Sequence, residues 1–142
     1  FCLCFVDIDH LKRVNDQFGH REGDRYIMAT ANILREISPE GVAARIGGDE
    51  FLLMVPDKSE QEMEALISEA CIKLVKSSYG EQKKFLYSFS YGIVCVGANN
   101  QFSPGKLLSM ADERMYDYKR QQKESRVEWG WDPPEEWDHS HA

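Results

Sequence analysis

Apolar and polar positions alternate along the chain between strand-like and helix-like patterns. Residues 1–7 form a continuous apolar stretch that predicts a buried strand, and residues 10–17 predict a short helical turn. Asp24 is expected to cap the next helix, in which apolar residues recur at helical spacing up to residue 37. Residues 38–41 contain proline and glycine and predict the end of this helix.

The second half of the chain continues the alternation. Residues 42–46 and 50–55 predict a β-hairpin around two glycines. Ser59 and Glu62 have the spacing of a capping box, which predicts the start of another helix. Residues 85–96 are rich in aromatic and β-branched residues and predict a further strand.

A Ser-Pro pair at residues 103–104 predicts the start of a last helix. The elements then follow the order βααββαβα, which predicts an α+β fold of the ferredoxin-like or palm type. In this fold, with the core order βααββαβ, helices pack on the faces of an antiparallel sheet. The predicted domain covers residues 1–124. Residues 125–142 are rich in tryptophan and acidic residues. We expect residues 126–129 to add an edge strand and the remainder to form an irregular tail.

Composition narrows the classes of function. The 142 residues suffice for one domain, and a net charge of −7 argues against nonspecific nucleic acid binding or membrane-surface binding. No apolar run approaches the roughly 20 residues that span a bilayer, and no signal peptide is evident. The four cysteines are expected to be buried thiols in a reducing cytosol. We predict that the domain is cytoplasmic, either by itself or as the cytoplasmic part of a longer, membrane-anchored protein.

Acidic residues follow the first strand and the hairpin turn. Asp7-Ile8-Asp9 ends the first apolar run, and Asp49 and Glu50 follow Gly47-Gly48. The glycines predict a tight turn, because glycine reaches positive φ without steric cost. Two acidic strand ends side by side in a sheet would make a divalent-cation site beside open backbone, which suits a phosphate-bearing ligand.

The turn also carries a family signature. Arg45 to Phe51 resembles the RxGGDEF motif of the GGDEF domain, the diguanylate cyclase family. Four other segments resemble further motifs of this family, in the family's order, so that the resemblance covers residue 1 to about residue 123. These segments are residues 5–16, 18–24, 90–93 and 111–119.

The resemblance implies an activity. Diguanylate cyclases are bacterial signalling nucleotidyltransferases that condense two GTP molecules into cyclic di-GMP and release pyrophosphate. The reaction uses one or two Mg²⁺ or Mn²⁺ ions per site and an antiparallel pair of domains. In the family a further helix precedes the first strand. Its absence here suggests a fragment, and an upstream sensor or dimerisation domain is expected by analogy.

The resemblance also implies roles for individual residues. The metal ligands would be the Asp7 carboxylate, the Ile8 carbonyl, Asp49 and Glu50. Asp49 matches the catalytic carboxylate and Glu50 is its partner, which binds the second metal or pairs with a lysine. Lys12 matches the lysine that stabilises the transition state.

The remaining matches concern GTP. Asn15 and Asp24 match the pair that reads guanine, although a turn asparagine and a helix cap would explain the same residues. The other expected substrate-binding residues are His20, which would close the base pocket, Gly47 and Gly48, which admit the substrate, and Lys119 and Lys123, which bind phosphates. Lys123 stands where the family often has arginine, and Gln122 stands in place of its glycine.

Two alternatives and one regulatory expectation remain. Lys123, Gln122 and Leu11, which stands where phenylalanine is common in the family, all depart from the family pattern. The first alternative is therefore a catalytically inactive GTP-binding, sensor or interaction module. A different nucleotide cyclase or a polymerase-like palm is the second alternative.

Many family members carry an inhibitory RxxD motif upstream of the signature. Ser38 and Gly41 occupy its positions here, so we expect no product inhibition through that site.

Overall fold

The computed structural model describes residues 1–80 and 85–125, without the side chains of residues 79, 80 and 123–125. The described elements follow the predicted order. The expected edge strand at residues 126–129 and the tail after it lie outside the described residues. The elements are β1 (Cys2–Ile8), α1 (Leu11–Phe18), α2 (His20–Ile37), β2 (Val42–Arg45), β3 (Glu50–Val55), α3 (Glu60–Gly80), β4 (Phe89–Cys95) and α4 (Pro104–Ser125).

The strands of the described ranges form one antiparallel sheet in the order β2-β3-β1-β4. β1 is central and all of its residues are buried, which explains its continuous apolar run. In the register of the sheet, Asp7 lies opposite Glu50 of β3 and Ser90 of β4. The predicted α+β fold with an antiparallel sheet is confirmed.

Helices cover both faces of this sheet. The largest apolar cluster packs α1, α2 and α3 against one face. On the other face, Leu107, Ala111 and Met115 of α4 pack against β1. α4 also passes very close to β4, since a Cβ atom on Gly92 would lie 2.0 Å from the carbonyl oxygen of Ala111. None of the helices in the described part of the chain is both long and apolar enough to cross a membrane.

Two predicted helix starts are confirmed by their caps. The hydroxyl of Ser59 accepts the backbone N–H of Glu62 at 3.1 Å, and the Glu62 carboxylate accepts the N–H of Ser59 at 3.0 Å. This reciprocal pair is the capping box expected before α3. The hydroxyl of Ser103 accepts the N–H of Lys106 at 3.1 Å, directly before Pro104 begins α4.

The predicted start of α2 was wrong. α2 begins at His20, because Gly19 takes a φ of 92° and separates it from α1. Glycine adopts this conformation without the steric cost that a side chain would add. Asp24 therefore lies in the second turn of α2, with an exposed side chain, and is not the helix cap.

The last predicted strand is shorter than expected. β4 begins at Phe89 rather than at residue 85. Phe85 and Tyr87 are instead buried against Tyr26 of α2, with ring centroids at 5.6 and 4.7 Å. The hydroxyl of Tyr26 accepts the N–H of Ser88 at 2.8 Å. A helix side chain thus takes the hydrogen bond that a neighbouring strand would otherwise form.

The cysteine prediction was wrong for two of the four residues. Cys2 and Cys95, which lie opposite each other on β1 and β4, are joined by a disulfide. Cys4 and Cys71 are thiols. Burial raises the pKa of Cys71 to about 12 and raises the pKa of Cys4 well above its ordinary value. Both therefore remain protonated near neutral pH, as expected of unreactive buried thiols.

Candidate active site

The candidate site lies where β1 ends and β3 begins. Asp7 lies opposite Glu50 in the sheet, and the N–H of Ile8 donates to the carbonyl oxygen of Asp49 at 2.8 Å. This hydrogen bond joins the end of β1 to the hairpin turn, and the Asp7 and Asp49 carboxyl groups lie close enough to interact. The two acidic strand ends are therefore side by side, as the sequence predicted.

Asp7 is the buried acid of the site, with 7% of its surface exposed. Its Oδ2 atom accepts a hydrogen bond from the Lys119 ammonium of α4, whereas its Oδ1 atom is buried without a hydrogen-bond partner. Burial raises the pKa of Asp7 to about 7; Lys119 opposes this rise and the Asp49 carboxyl adds to it. Burial, the largest single effect, lowers the pKa of Lys119, but the hydrogen bond to Asp7 and the charges of Asp7, Asp9 and Asp49 together outweigh it and leave that pKa raised.

These residues fit a divalent cation. A buried carboxylate oxygen without a donor is costly unless a cation or donor reaches it. Mg²⁺ prefers oxygen ligands and is usually held by one or two carboxylates together with waters and substrate phosphates. Asp7, Asp49 and the Ile8 carbonyl supply that kind of set. Across the described ranges, no group of three or more His, Cys, Asp or Glu side chains is arranged to hold a metal by itself.

Glu50 adopts a different position from Asp49. Its carboxylate lies against Gly47, because a Cβ atom built on Gly47 would be 2.9 Å from Glu50 Oε2. The backbone N–H of Ile46 donates to the Glu50 carbonyl oxygen at 2.9 Å and closes the hairpin. The role of Glu50 as a metal ligand therefore stays a prediction.

The two glycines of the turn serve different purposes. Neither has a positive φ, so the conformational reason predicted for them was wrong. Gly47 leaves room for Glu50, whereas a Cβ on Gly48 would meet no atom within 4 Å. The Arg45 guanidinium donates to the carbonyl oxygens of Gly47 and Gly48 at 3.1 and 2.8 Å. Arg45 thus fixes the carbonyl groups of the turn, while the space beside Gly48 is open.

The residues predicted to read guanine lie in α1 and in the first turns of α2. The Asn15 side chain lies so close to Gly23 that a Cβ atom there would be 1.7 Å from Asn15 Oδ1. Asp24 follows Gly23, and His20 lies one helical turn earlier on the same side of α2. The absence of a side chain at residue 23 therefore lets the carboxamide approach the residue beside Asp24.

The three predicted lysines differ in how they relate to the site. Lys119 is in the site through its bond to Asp7. Lys12 lies in the first turn of α1 with an exposed side chain, and its role stays a prediction. The side chain of Lys123 is outside the described part of the structure.

Sequence reasoning gave no role to Asp9 or to its partners. The Asp9 carboxylate accepts hydrogen bonds from the hydroxyls of Ser88 and Ser90 at 2.8 and 2.7 Å. Ser88 and Ser90 alternate with Phe89 at the start of β4. This alternation of small hydroxyl residues and an aromatic was the available signal, but it does not identify the acid that the hydroxyls meet.

We expect the metal-free chain to lose stability as the pH rises from about 4 to about 7, because of Asp7. Its pKa is about 7 in the folded chain, against 3.8 for an ordinary aspartate. Between these values the folded state holds a proton that the unfolded state has released. The stabilising contribution is fully present below the unfolded pKa and is lost as the pH rises through the folded pKa.

Urea denaturation in EDTA at several pH values, for the wild type and for Asp7→Asn, measures this effect. The free energy of unfolding of the variant, relative to wild type, should increase as the pH rises. Asp112→Asn, at an exposed position of α4, is the control and should follow the wild type. Parallel curves for the wild type and Asp7→Asn would contradict the raised pKa.

Together, the sheet, its helices and the acidic strand ends define a palm-like α+β domain. The GGEEF domain of a diguanylate cyclase from Vibrio cholerae has the same fold, with a TM-score of 0.75 at 21% identity over 84% of this chain and 76% of that one. The chain belongs to the GGDEF domain family, because the family described as "Diguanylate cyclase, GGDEF domain" matches residues 1–125.

Individual relatives agree with this assignment. The chain is 32% identical over 124 residues to the probable diguanylate cyclase DgcT and 33% identical over 131 residues to the diguanylate cyclase DgcN, both of Escherichia coli K12. These matches cover 84% and 88% of the chain but only 27% and 31% of the relatives. The GGDEF domain of DgcB from Caulobacter crescentus, solved with c-di-GMP, gives a TM-score of 0.74 at 26% identity, covering 84% of this chain and 72% of that one.

Proposed function

We propose that the chain is a diguanylate cyclase domain that condenses two GTP molecules into cyclic di-GMP and releases two pyrophosphates. The observation that carries the proposal is the pair of Asp7 and Asp49 at adjoining strand ends, with one buried Asp7 oxygen lacking a partner. Membership of the GGDEF family and relatives named diguanylate cyclases support it.

The residues divide the chemistry between them. Asp7, Asp49 and the Ile8 carbonyl would hold Mg²⁺ or Mn²⁺, which when bound neutralises phosphate charge and polarises the α-phosphate. The 3′-oxygen of one GTP forms a bond to the α-phosphorus of the other, and the bond to pyrophosphate breaks. Asp49 or Glu50 accepts the proton of the hydroxyl.

The lysines act on the phosphates. Lys119 lies beside Asp7, so a triphosphate held by a cation at that carboxylate would come within its reach. Lys12 in α1 and Lys123 near the end of α4 are assigned to the same phosphates. Positive charge at these positions offsets the charge that develops on the leaving pyrophosphate.

Catalysis requires two domains, because each holds one GTP and each 3′-hydroxyl attacks the nucleotide of the other. We assign the antiparallel pair to a homodimer that an upstream sensor or dimerisation domain brings together. A structure described as the coiled coil and GGDEF domain of DgcB supports such an arrangement. The function is assigned to the cytoplasm, with no nucleic acid partner and no membrane contact by this segment.

The test is an assay of GTP with Mg²⁺ on the chain fused to a dimerising coiled coil, with chromatographic identification of the product. We expect cyclic di-GMP and pyrophosphate, at a rate per chain well above that of the unfused chain at the same concentration. ATP in place of GTP is the substrate control. GTP binding without product in the forced dimer would reject the cyclase and support the inactive GTP-binding module.

Asp24→Ala should reduce the preference for GTP over ATP. The Asp24 carboxylate is assigned to the N1–H and 2-amino donors of guanine, and donors left without a partner weaken binding by roughly 1–3 kcal/mol. Asp24 does not cap α2, so we expect little loss of stability. Dissociation constants for both nucleotides, measured by calorimetry, give the preference.

Glu36→Ala is the matched control, because it removes an exposed acid from the same helix. It should keep the nucleotide preference of the wild type. Equal weakening of GTP and ATP by Asp24→Ala would mean that Asp24 does not read the base.

A further inference from the structure

Asp9 is the acid of the first motif that the proposed chemistry leaves without a role. It directly follows Ile8, the last residue of β1. Its two carboxylate oxygens accept hydrogen bonds from different hydroxyls, Ser88 at 2.8 Å and Ser90 at 2.7 Å. Ser90 is buried, whereas Ser88 and Asp9 are half-buried; the two hydrogen bonds together hold the carboxylate in one orientation.

The backbone of Asp9 is held at the same place. Its N–H donates to the carbonyl oxygen of Ser88 at 3.0 Å. The hydroxyl oxygen of Tyr26, which is fully buried, lies 2.9 Å from the Asp9 carbonyl oxygen and 2.6 Å from that of Ser88. The turn after β1 is therefore attached to both β4 and α2.

The chain changes direction immediately after this attachment. His10 takes a φ of 60°, in the left-handed region that residues other than glycine seldom adopt. Such conformations persist where surrounding contacts hold them. The turn lies between residues with proposed roles in the reaction. Asp7 and Ile8, assigned to the metal, precede it, and Lys12, assigned to the phosphates, lies in the helix that follows.

We propose that Asp9 is a positioning residue that fixes the turn between β1 and α1, so that the Ile8 carbonyl and the Asp7 carboxylate are presented together to the cation. It acts through the hydroxyls of Ser88 and Ser90 and does not itself touch the metal. The inference rests on the proposed function for the identity of the cation and of the nucleotide.

The test measures Mn²⁺ affinity by electron paramagnetic resonance, with and without GTP, on the full 142-residue chain. Loss of a group that orients a metal ligand typically lowers metal affinity by about 10- to 100-fold. We expect a loss of this size in Asp9→Ala and in the double variant Ser88→Ala with Ser90→Ala. Asp9→Asn keeps one acceptor and gains a donor that a serine oxygen can accept, so it should retain most of the affinity.

The pattern separates positioning from other roles. If Asp9 were a metal ligand, Asp9→Asn would lose affinity as Asp9→Ala does, and the serine variant would keep it. If Asp9 served stability alone, the free energy of unfolding would fall while the folded protein bound Mn²⁺ as tightly as the wild type. Either result would overturn the proposal. Asp112→Ala on α4 is the control and should match the wild type in both measurements.

The outcome also separates this inference from the cyclase proposal. If the wild type binds Mn²⁺ and GTP but forms no cyclic di-GMP as a forced dimer, the proposed cyclase activity is rejected. The Mn²⁺ affinities of the Asp9 variants would still test the positioning role. A wild type that binds no Mn²⁺, even with GTP, would overturn the cation site and the role of Asp9 together.

Discussion

Asp49→Ala should abolish the formation of cyclic di-GMP, with a loss of turnover of at least about 10²–10³-fold. The substitution removes one of the two carboxylates at the adjoining strand ends and the group assigned to accept the proton of the 3′-hydroxyl. It leaves the backbone carbonyl of Asp49, which accepts the N–H of Ile8 at 2.8 Å. The hairpin should therefore keep its place, and the loss should fall on the rate.

The measurement is the initial rate of pyrophosphate release from the forced dimer, at saturating GTP and Mg²⁺. Thermal unfolding of the same sample establishes that the variant is folded. Asp112→Ala removes an acid from an exposed position of α4 and should leave the rate unchanged. A folded Asp49→Ala protein that kept a tenth of the wild-type rate would remove Asp49 from the catalytic assignment.

Gly92→Ala should strongly destabilise the fold. The added Cβ would lie 2.0 Å from the carbonyl oxygen of Ala111 and 2.4 Å from the backbone nitrogen of Met115. Both are backbone atoms of α4 and cannot move without displacing the helix. Overpacking in a well-packed interior typically costs about 1–3 kcal/mol, and occasionally more, so a value at or above the upper end is expected here.

Urea denaturation gives the free energy of unfolding of this variant. Gly97→Ala is the matched control, because a Cβ atom there would meet nothing within 4 Å, and it should stay within about 0.5 kcal/mol of the wild type. If Gly92→Ala were as stable as Gly97→Ala, the close contact between β4 and α4 would not exist. Displacement of α4 should also weaken GTP binding, since this helix carries Lys119.

The sequence allowed prediction of the order of elements and of the pairing of the acidic strand ends. These features depend on local periodicity and on a signature around Asp49, which short stretches of sequence contain. The start of α2 was missed, since Asp24 has the chemistry of a cap and only the backbone of Gly19 identifies the true break. The last strand was predicted to begin four residues too early, because Tyr26, distant in sequence, takes the N–H of Ser88.

Other features depend on strand register, which composition does not determine. The Cys2–Cys95 disulfide requires these residues to be opposite each other across β1 and β4. The bonds from Asp9 to Ser88 and Ser90 join residues about eighty positions apart in the chain. The sequence shows Asp9 beside Asp7 but does not show that its carboxylate accepts hydrogen bonds from these two hydroxyls.

The ion pair between Lys119 and Asp7 makes cation binding and nucleotide binding a coupled process. In the metal-free domain the ammonium already compensates the buried carboxylate, so a lone divalent ion must compete with a charge that is held in place. A nucleotide that arrives with its ion offers Lys119 new anionic partners as it leaves Asp7. By linkage, each ligand then raises the affinity for the other by the same factor, and we expect cooperative uptake of ion and nucleotide.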